Sequence, residues 1–310
     1  MKRQPSYLVT LALWLALPAV VRAADLVTAS NPDPHTLPSL NVYNDDTFSR
    51  DKVLTMVAAT FPNVPEFTCD AWCYESNVDF LVARALDGGK VELRHRDRDQ
   101  PRVVIVTTVT PEPGAVEFLA RLELEKGATA QLPANPQPLN LCWQLRRAPA
   151  FASKPDPYPE FVKRCFMFME PGVVFLDKTT RRPIPVRPPD DSYNNPPWVQ
   201  MYVGTWQDVP PTNPKGWADY SPDRYVATVM GVVSRDGKHL AAIANDSANT
   251  MCQAWHDCLH NNPLWLPATS PPDKRVWRLK IYVMDNDPDA LLARVVKDFP
   301  NASPHDTVCE

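Results

Sequence analysis

Residues Asp87 to Leu124 read DGGKVELRHRDRDQPRVVIVTTVTPEPGAVEFLARLEL, and this stretch decides the fold class. Val91, Leu93 and His95 share one parity in KVELRHR, and Glu92, Arg94 and Arg96 share the other, the two-residue period of a strand with one buried face. Val103 to Thr110 is rich in β-branched residues, which suit a pleated, packed surface. Asp87-Gly88-Gly89 follows the apolar run VDFLVARAL from Val78 to Leu86, and Pro111-Glu112-Pro113-Gly114 separates two further runs. Both are turn signals that fold neighbouring strands into hairpins.

The same grammar continues outward. LNLCWQLRR, EFVKRCFMFME, GVVFLDKTT, WVQMYVGTWQ, RYVATVMGVVS, KHLAAIAN and RVWRLKIYVM read as strands, with Pro171-Gly172 and Asp236-Gly237 as turns. About ten strands with few helices between them predict a mainly all-β chain, a large antiparallel β-sandwich. Two helices flank it. Ser49 to Thr60 has an N-capping Ser49, Asp51 in the first turn, and Val53, Leu54, Val57 and Ala58 at helical spacing. At the other end Asp287 caps, Pro288 suits the first turn, and DALLARVVKDF carries an apolar stripe. The expected organisation is a leader over 1–23, an arm and helix over 24–77, and the sandwich with its closing helix over 78–310.

Lys2 and Arg3, the apolar run Leu8 to Val21 and the small-residue pattern Val21-Arg22-Ala23 form a secretory signal peptide, so export to the periplasm or medium is expected, with cleavage after Ala23. The apolar run is short for a membrane span, and no second long one follows. Cleavage leaves 287 residues and takes the formal charge from −4 to −7 by removing Lys2, Arg3 and Arg22. An acidic chain is a poor match for nucleic acid. The 35 prolines against 9 glycines predict stiff, ordered loops rather than floppy linkers. Seven cysteines in an oxidising compartment predict some pairing, with Cys69–Cys73 and Cys252–Cys258 the local pairs and at least one left over. Oligomeric state is not legible.

Asn245 to Pro263, NDSANTMCQAWHDCLHNNP, concentrates acid, imidazole, thiol and indole at the end of a strand-like run, the setting in which loops carry chemistry. His256 and His260 with Asp246 are candidates for acid/base work, and His95 is a further candidate base. Were the stretch helical, the four-residue spacing would put both imidazoles on one face, where they could hold a divalent cation. No cofactor is otherwise expected, and the glutamate of a zinc-peptidase HExxH is absent. Trp206, Trp217, Tyr202 and Tyr220 form an aromatic belt, with Trp198, Tyr202 and Trp206 at one parity. Aromatic faces beside a few polar groups are the usual ligand-site pattern, and Asp219, Asn245 and Arg224 would supply those groups. Gly-rich phosphate loops, a GxSxG elbow and a dinucleotide fingerprint are missing from the sequence. Asn245-Asp246-Ser247 matches a glycosylation triplet.

The Asp87–Leu124 segment, followed by LNLCWQL, a strand pair and a late strand leading into a His-bearing stretch, resembles the galactose-mutarotase-like super-sandwich over about Val78 to Met284. The resemblance implies a large β-sandwich that binds sugars in a groove across one sheet. It implies acid/base chemistry on a saccharide, of lyase, hydrolase or epimerase type. The alternative is a non-catalytic exported module that binds a glycan or an envelope protein.

Overall fold

A computed structural model of the chain describes residues 78–97, 101–126, 150–152, 158–181, 199–209, 218–246, 248–253, 258–263 and 276–300. It also describes the backbone of short strands at 21–22, 35–36, 40–44, 54–58, 70–73 and 141–144. The strands are β1 (Val21–Arg22), β2 (His35–Thr36), β3 (Leu40–Asn44), β4 (Leu54–Ala58), β5 (Asp70–Cys73), β6 (Val78–Ala85), β7 (Val91–Asp97), β8 (Val103–Glu112), β9 (Ala115–Leu124) and β10 (Leu141–Gln144). They continue with β11 (Cys165–Met169), β12 (Gly172–Phe175), β13 (Val199–Gly204), β14 (Ala218–Tyr225), β15 (Val229–Val233), β16 (His239–Asn245), β17 (Ala248–Gln253), β18 (Cys258–Pro263) and β19 (Val276–Asp285). Two helices are present among the described residues, α1 (Tyr158–Arg164) and α2 (Pro288–Asp298).

Ten strands form one sheet in the order β1-β6-β7-β8-β9-β19-β16-β15-β11-β12, and six form a second, β14-β13-β17-β18-β10-β5. A small third sheet pairs β2, β3 and β4. Pairing is antiparallel apart from β13 with β14, which run parallel. The main core lies between the two large sheets. Leu93, Ile105, Phe118, Ile243 and Leu279 of the first meet Tyr202, Tyr225, Met251 and Leu259 of the second. This is the expected mainly β sandwich, built from the two-residue period of its strands.

All four hairpin turns read from the sequence are present. Gly88 and Gly237 both take positive φ (70° and 71°), the left-handed region that glycine enters without steric cost. The closing helix starts where its cap predicts: Asp287 Oδ1 accepts the Ala290 amide at 2.9 Å, with Pro288 in the first turn. A second core beneath it packs Leu291, Val295 and Phe299 on Tyr282, Leu240 and Ala115, on the opposite face of the ten-stranded sheet.

Two expectations are corrected. The helix over Ser49–Thr60 is absent; its centre is β4, paired antiparallel with β3, because cross-strand pairing outweighs a weak local helical pattern. The run EFVKR is the helix α1, not a strand, and Arg164 at its end donates to the carbonyls of Ala152 (2.7 Å) and Val233 (2.8 Å). Ala218–Tyr225 is a further strand; its Pro222 is tolerated where the register with β13 is interrupted by a bulge, at the terminal strand of its sheet among the described residues. β5, which precedes residue 78, pairs with β10 in the six-stranded sheet.

Candidate functional site

The stretch from Asn245 to Pro263 is mostly strand in its described residues. It holds the end of β16 and the two strands β17 and β18, paired antiparallel in the six-stranded sheet. Alternation sorts its residues. Met251, Gln253, Leu259 and Asn261 are fully buried and face the sandwich interior, whereas Cys252 and His260 are half-buried on the outer face. His260 stands directly opposite Cys252 on one side and Cys142 on the other. Cys252 in turn pairs with Met201, and Met201 with Tyr220, so one cross-strand row runs from His260 to Tyr220. Burial, together with the nearby Cys252, pushes the Tyr220 hydroxyl above its ordinary pKa.

Asn245 and Asp246 go elsewhere. Asn245 is completely buried, and its amide donates to the Asn261 carbonyl at 3.4 Å. Asn261 donates back across the sandwich, to the carbonyls of Thr228 (2.8 Å) and Ile243 (3.2 Å). These bonds staple the two sheets together. Asp246, one residue on, interacts electrostatically with Arg278, which bonds to Glu117 and to the Asp298 carbonyl beside the closing helix. Asp246 follows the end of β16, and His260 lies on the outer face of β18. His256 and Trp217 lie outside the described residues, and so does the side chain of His95, whose backbone pairs with Ile105 in β8. His260 itself lies in the strand β18. Among the described residues no three His, Cys, Asp or Glu side chains group as metal ligands.

The aromatic belt divides into core and surface. Tyr202, expected in the belt, is fully buried. Its hydroxyl meets Thr179 Oγ1 at 2.7 Å; Thr179 spends its own proton on the Leu176 carbonyl, so Tyr202 is the donor. The shared parity of Tyr202 and Trp206 has no consequence, because β13 ends at Gly204 and Trp206 lies in the turn beyond it. Asp219 folds its carboxylate onto the adjacent Tyr220 amide at 2.7 Å.

Trp206 is the exception. It is 45% exposed, the one tryptophan among the exposed large hydrophobic side chains of the described residues. The turn that carries it is tightly bonded. Gly204 and Gln207 exchange two 3.1 Å bonds, and the Thr205 amide donates to the Tyr225 carbonyl at 3.0 Å. Arg224 donates to the Gln207 carbonyl. The indole lies over Gly204 and meets the buried Tyr225 ring edge-to-face, with centroids 5.4 Å apart at 75°. An exposed indole held by a side-chain-free residue, a buried aromatic and four hydrogen bonds is a rigid platform. Arg224 beside it makes no carboxylate pair among the described residues, and Asp208 is exposed.

No family model matches the chain, and no curated protein matches it. Among solved structures, an alpha-N-acetylgalactosaminidase from Bifidobacterium bifidum in complex with GalNAc is similar at a TM-score of 0.29 and 10% identity, over 86% of this chain and 38% of that one. The chain spans well under half the length of that structure, and a likeness of this size carries no argument about activity. Among the described residues no helix is long and apolar enough to cross a membrane.

Proposed function

We propose that the chain is an exported saccharide-binding β-sandwich protein whose principal contact is the exposed face of Trp206. The observation that carries this reading is the seating of the indole. A tryptophan left 45% exposed yet fixed by Gly204, Tyr225 and a bonded turn is pre-organised to stack on the apolar face of a sugar ring. Arg224, Gln207 and Asp208 stand next to it in the sequence or the bonding pattern and supply donors and acceptors for ring hydroxyls. Tyr202 and Asn245, both fully buried, take no part in ligand contact in this reading.

The row on the outer face of the six-stranded sheet favours a second reading, acid/base chemistry on the saccharide. There the half-buried His260 faces Cys252, with Tyr220 beyond. Two experiments separate the readings. Trp206→Ala abolishes retardation of the protein in polysaccharide gels if the platform binds. His260→Ala abolishes formation of unsaturated or hydrolysed products, read by mass spectrometry, if the row is catalytic. A wild-type protein that is retarded by a polysaccharide and forms no product supports the binding reading alone. A wild-type protein that meets no polysaccharide contradicts both.

A further inference from the structure

We infer that Cys252 is a reactive thiol, served by His260, that forms a mixed disulfide with a small-molecule disulfide; this stands apart from the saccharide reading above. The chain has seven cysteines, so at least one lies outside any pairing within the chain. Two cysteines carry thiols among the described residues, Cys165 and Cys252. Cys165 is fully buried, and its Sγ donates to the Phe161 carbonyl at 3.3 Å. Burial keeps reagents in solvent away from it. Cys252 keeps part of its surface in solvent, on the outer face of β17.

His260 stands directly opposite Cys252 and is itself half-buried on the same face. The Cβ atoms of such a cross-strand pair lie about 4.5–5.5 Å apart, which brings an imidazole nitrogen within reach of the thiol proton. On its other side Cys252 faces Met201, with Tyr220 beyond, and Cys142 lies beyond His260 on β10. Met201 takes no proton, and burial keeps the Tyr220 hydroxyl protonated, so among these described side chains the proton acceptor is His260. The exchange balances. The Cys252 proton passes to His260, and the thiolate attacks one sulfur of the small disulfide. A bond from Cys252 Sγ to that sulfur forms as the reagent's own S–S bond breaks, and the departing thiolate takes the proton from His260. One disulfide replaces another, with no net oxidation. The position also sets the size of the partner. A half-buried thiol between Met201 and His260, inside a sheet face, admits a slender disulfide and holds off the cysteine of a second folded protein.

The test treats the full chain, purified without reductant, with oxidised glutathione at neutral pH, and peptide mapping by mass spectrometry locates every adduct and every native disulfide. The expected result is glutathione on Cys252 and none on Cys165. An ordinary thiol is only a few per cent ionised near pH 7, so the neighbouring acceptor should make the wild type react about tenfold faster than His260→Gln. Iodoacetamide labelling of Cys252 from about pH 5 to about pH 9 gives a readout that a merely structural His260 would not move: half-maximal labelling falls at lower pH in the wild type than in His260→Gln. Adducts on other cysteines alone, a native Cys252–Cys258 disulfide, or equal rates and pH profiles in the two proteins overturn the inference. Should circular dichroism show His260→Gln unfolded, the wild-type profile decides, and half-maximal labelling at or above the ordinary thiol value of about 8.5 overturns it.

Discussion

A Cβ placed on Gly204 would stand 2.5 Å from Cε2 and Cζ2 of Trp206, closer than real side chains approach. The missing side chain at 204 is thus what lets the indole lie down on β13. Gly204 needs no left-handed backbone, so alanine is permitted there by φ and excluded only by the ring.

Gly204→Ala should therefore act as a displaced Trp206 without touching that residue. The expected cost is about 1 kcal/mol, the value of the lost edge-to-face contact with Tyr225, together with a saccharide affinity as low as that of Trp206→Ala. Thermal melting and gel retardation of the two variants side by side check both halves.

A second prediction concerns Lys280, which is 4% exposed at its side chain and lies 2.8 Å from Glu112, 3.0 Å from Asp298 and 3.8 Å from Glu117. Lys280→Met leaves Glu112 and Asp298 without this cation, while Glu117 keeps its bond from Arg278. A loss of about 3–5 kcal/mol is expected, the usual effect of breaking a buried pair from one side. Urea unfolding measures it, with an unchanged slope showing that the fold itself is kept.

The same cluster sets a pH dependence. Burial raises the Asp298 carboxyl, but hydrogen bonds from Lys280 and Tyr282 outweigh it and hold the folded value below the ordinary one. A carboxylate depressed in the folded state stabilises fully above its unfolded pKa, about 3.9, and that stability is lost as pH falls through the lower folded value. Melting temperature should drop below pH 4, and Asp298→Asn should flatten that limb of the profile.

Much of the architecture was legible because it rests on local rules. The Asp87–Leu124 period, the four hairpin turns and the Asp287-Pro288 start all appear as read. The six-stranded sheet was harder. ANTMCQ and CLHNNP are polar and short, and they become strands only because neighbours on both sides complete their hydrogen bonds. For the same reason Asn245 read as a site residue, and Asn261 did not stand out. They are inter-sheet donors, a role that no spacing in the sequence reveals. Trp206 stood out in the sequence as one of an aromatic belt, but its seat did not, since Gly204 gains its meaning only from a turn that folds the indole back.

Asn261 supplies a fourth prediction. Asn261→Leu removes the donors to the Thr228 and Ile243 carbonyls in a fully buried position. The expected cost is about 2–3 kcal/mol for carbonyls left short of a partner. Asn245 is equally enclosed, so its glycosylation triplet should stay unmodified in correctly folded protein made in a glycosylating host. Intact-mass analysis of the folded fraction reads this directly.

The central claim is that Trp206 on Gly204 is a saccharide platform. Affinity electrophoresis of the wild type, Trp206→Ala and Gly204→Ala through gels containing neutral and acidic polysaccharides tests it most directly. The account predicts that at least one polysaccharide retards the wild type and that both variants migrate as in a gel without ligand. Equal retardation of all three, or free migration of the wild type in every gel, would contradict it.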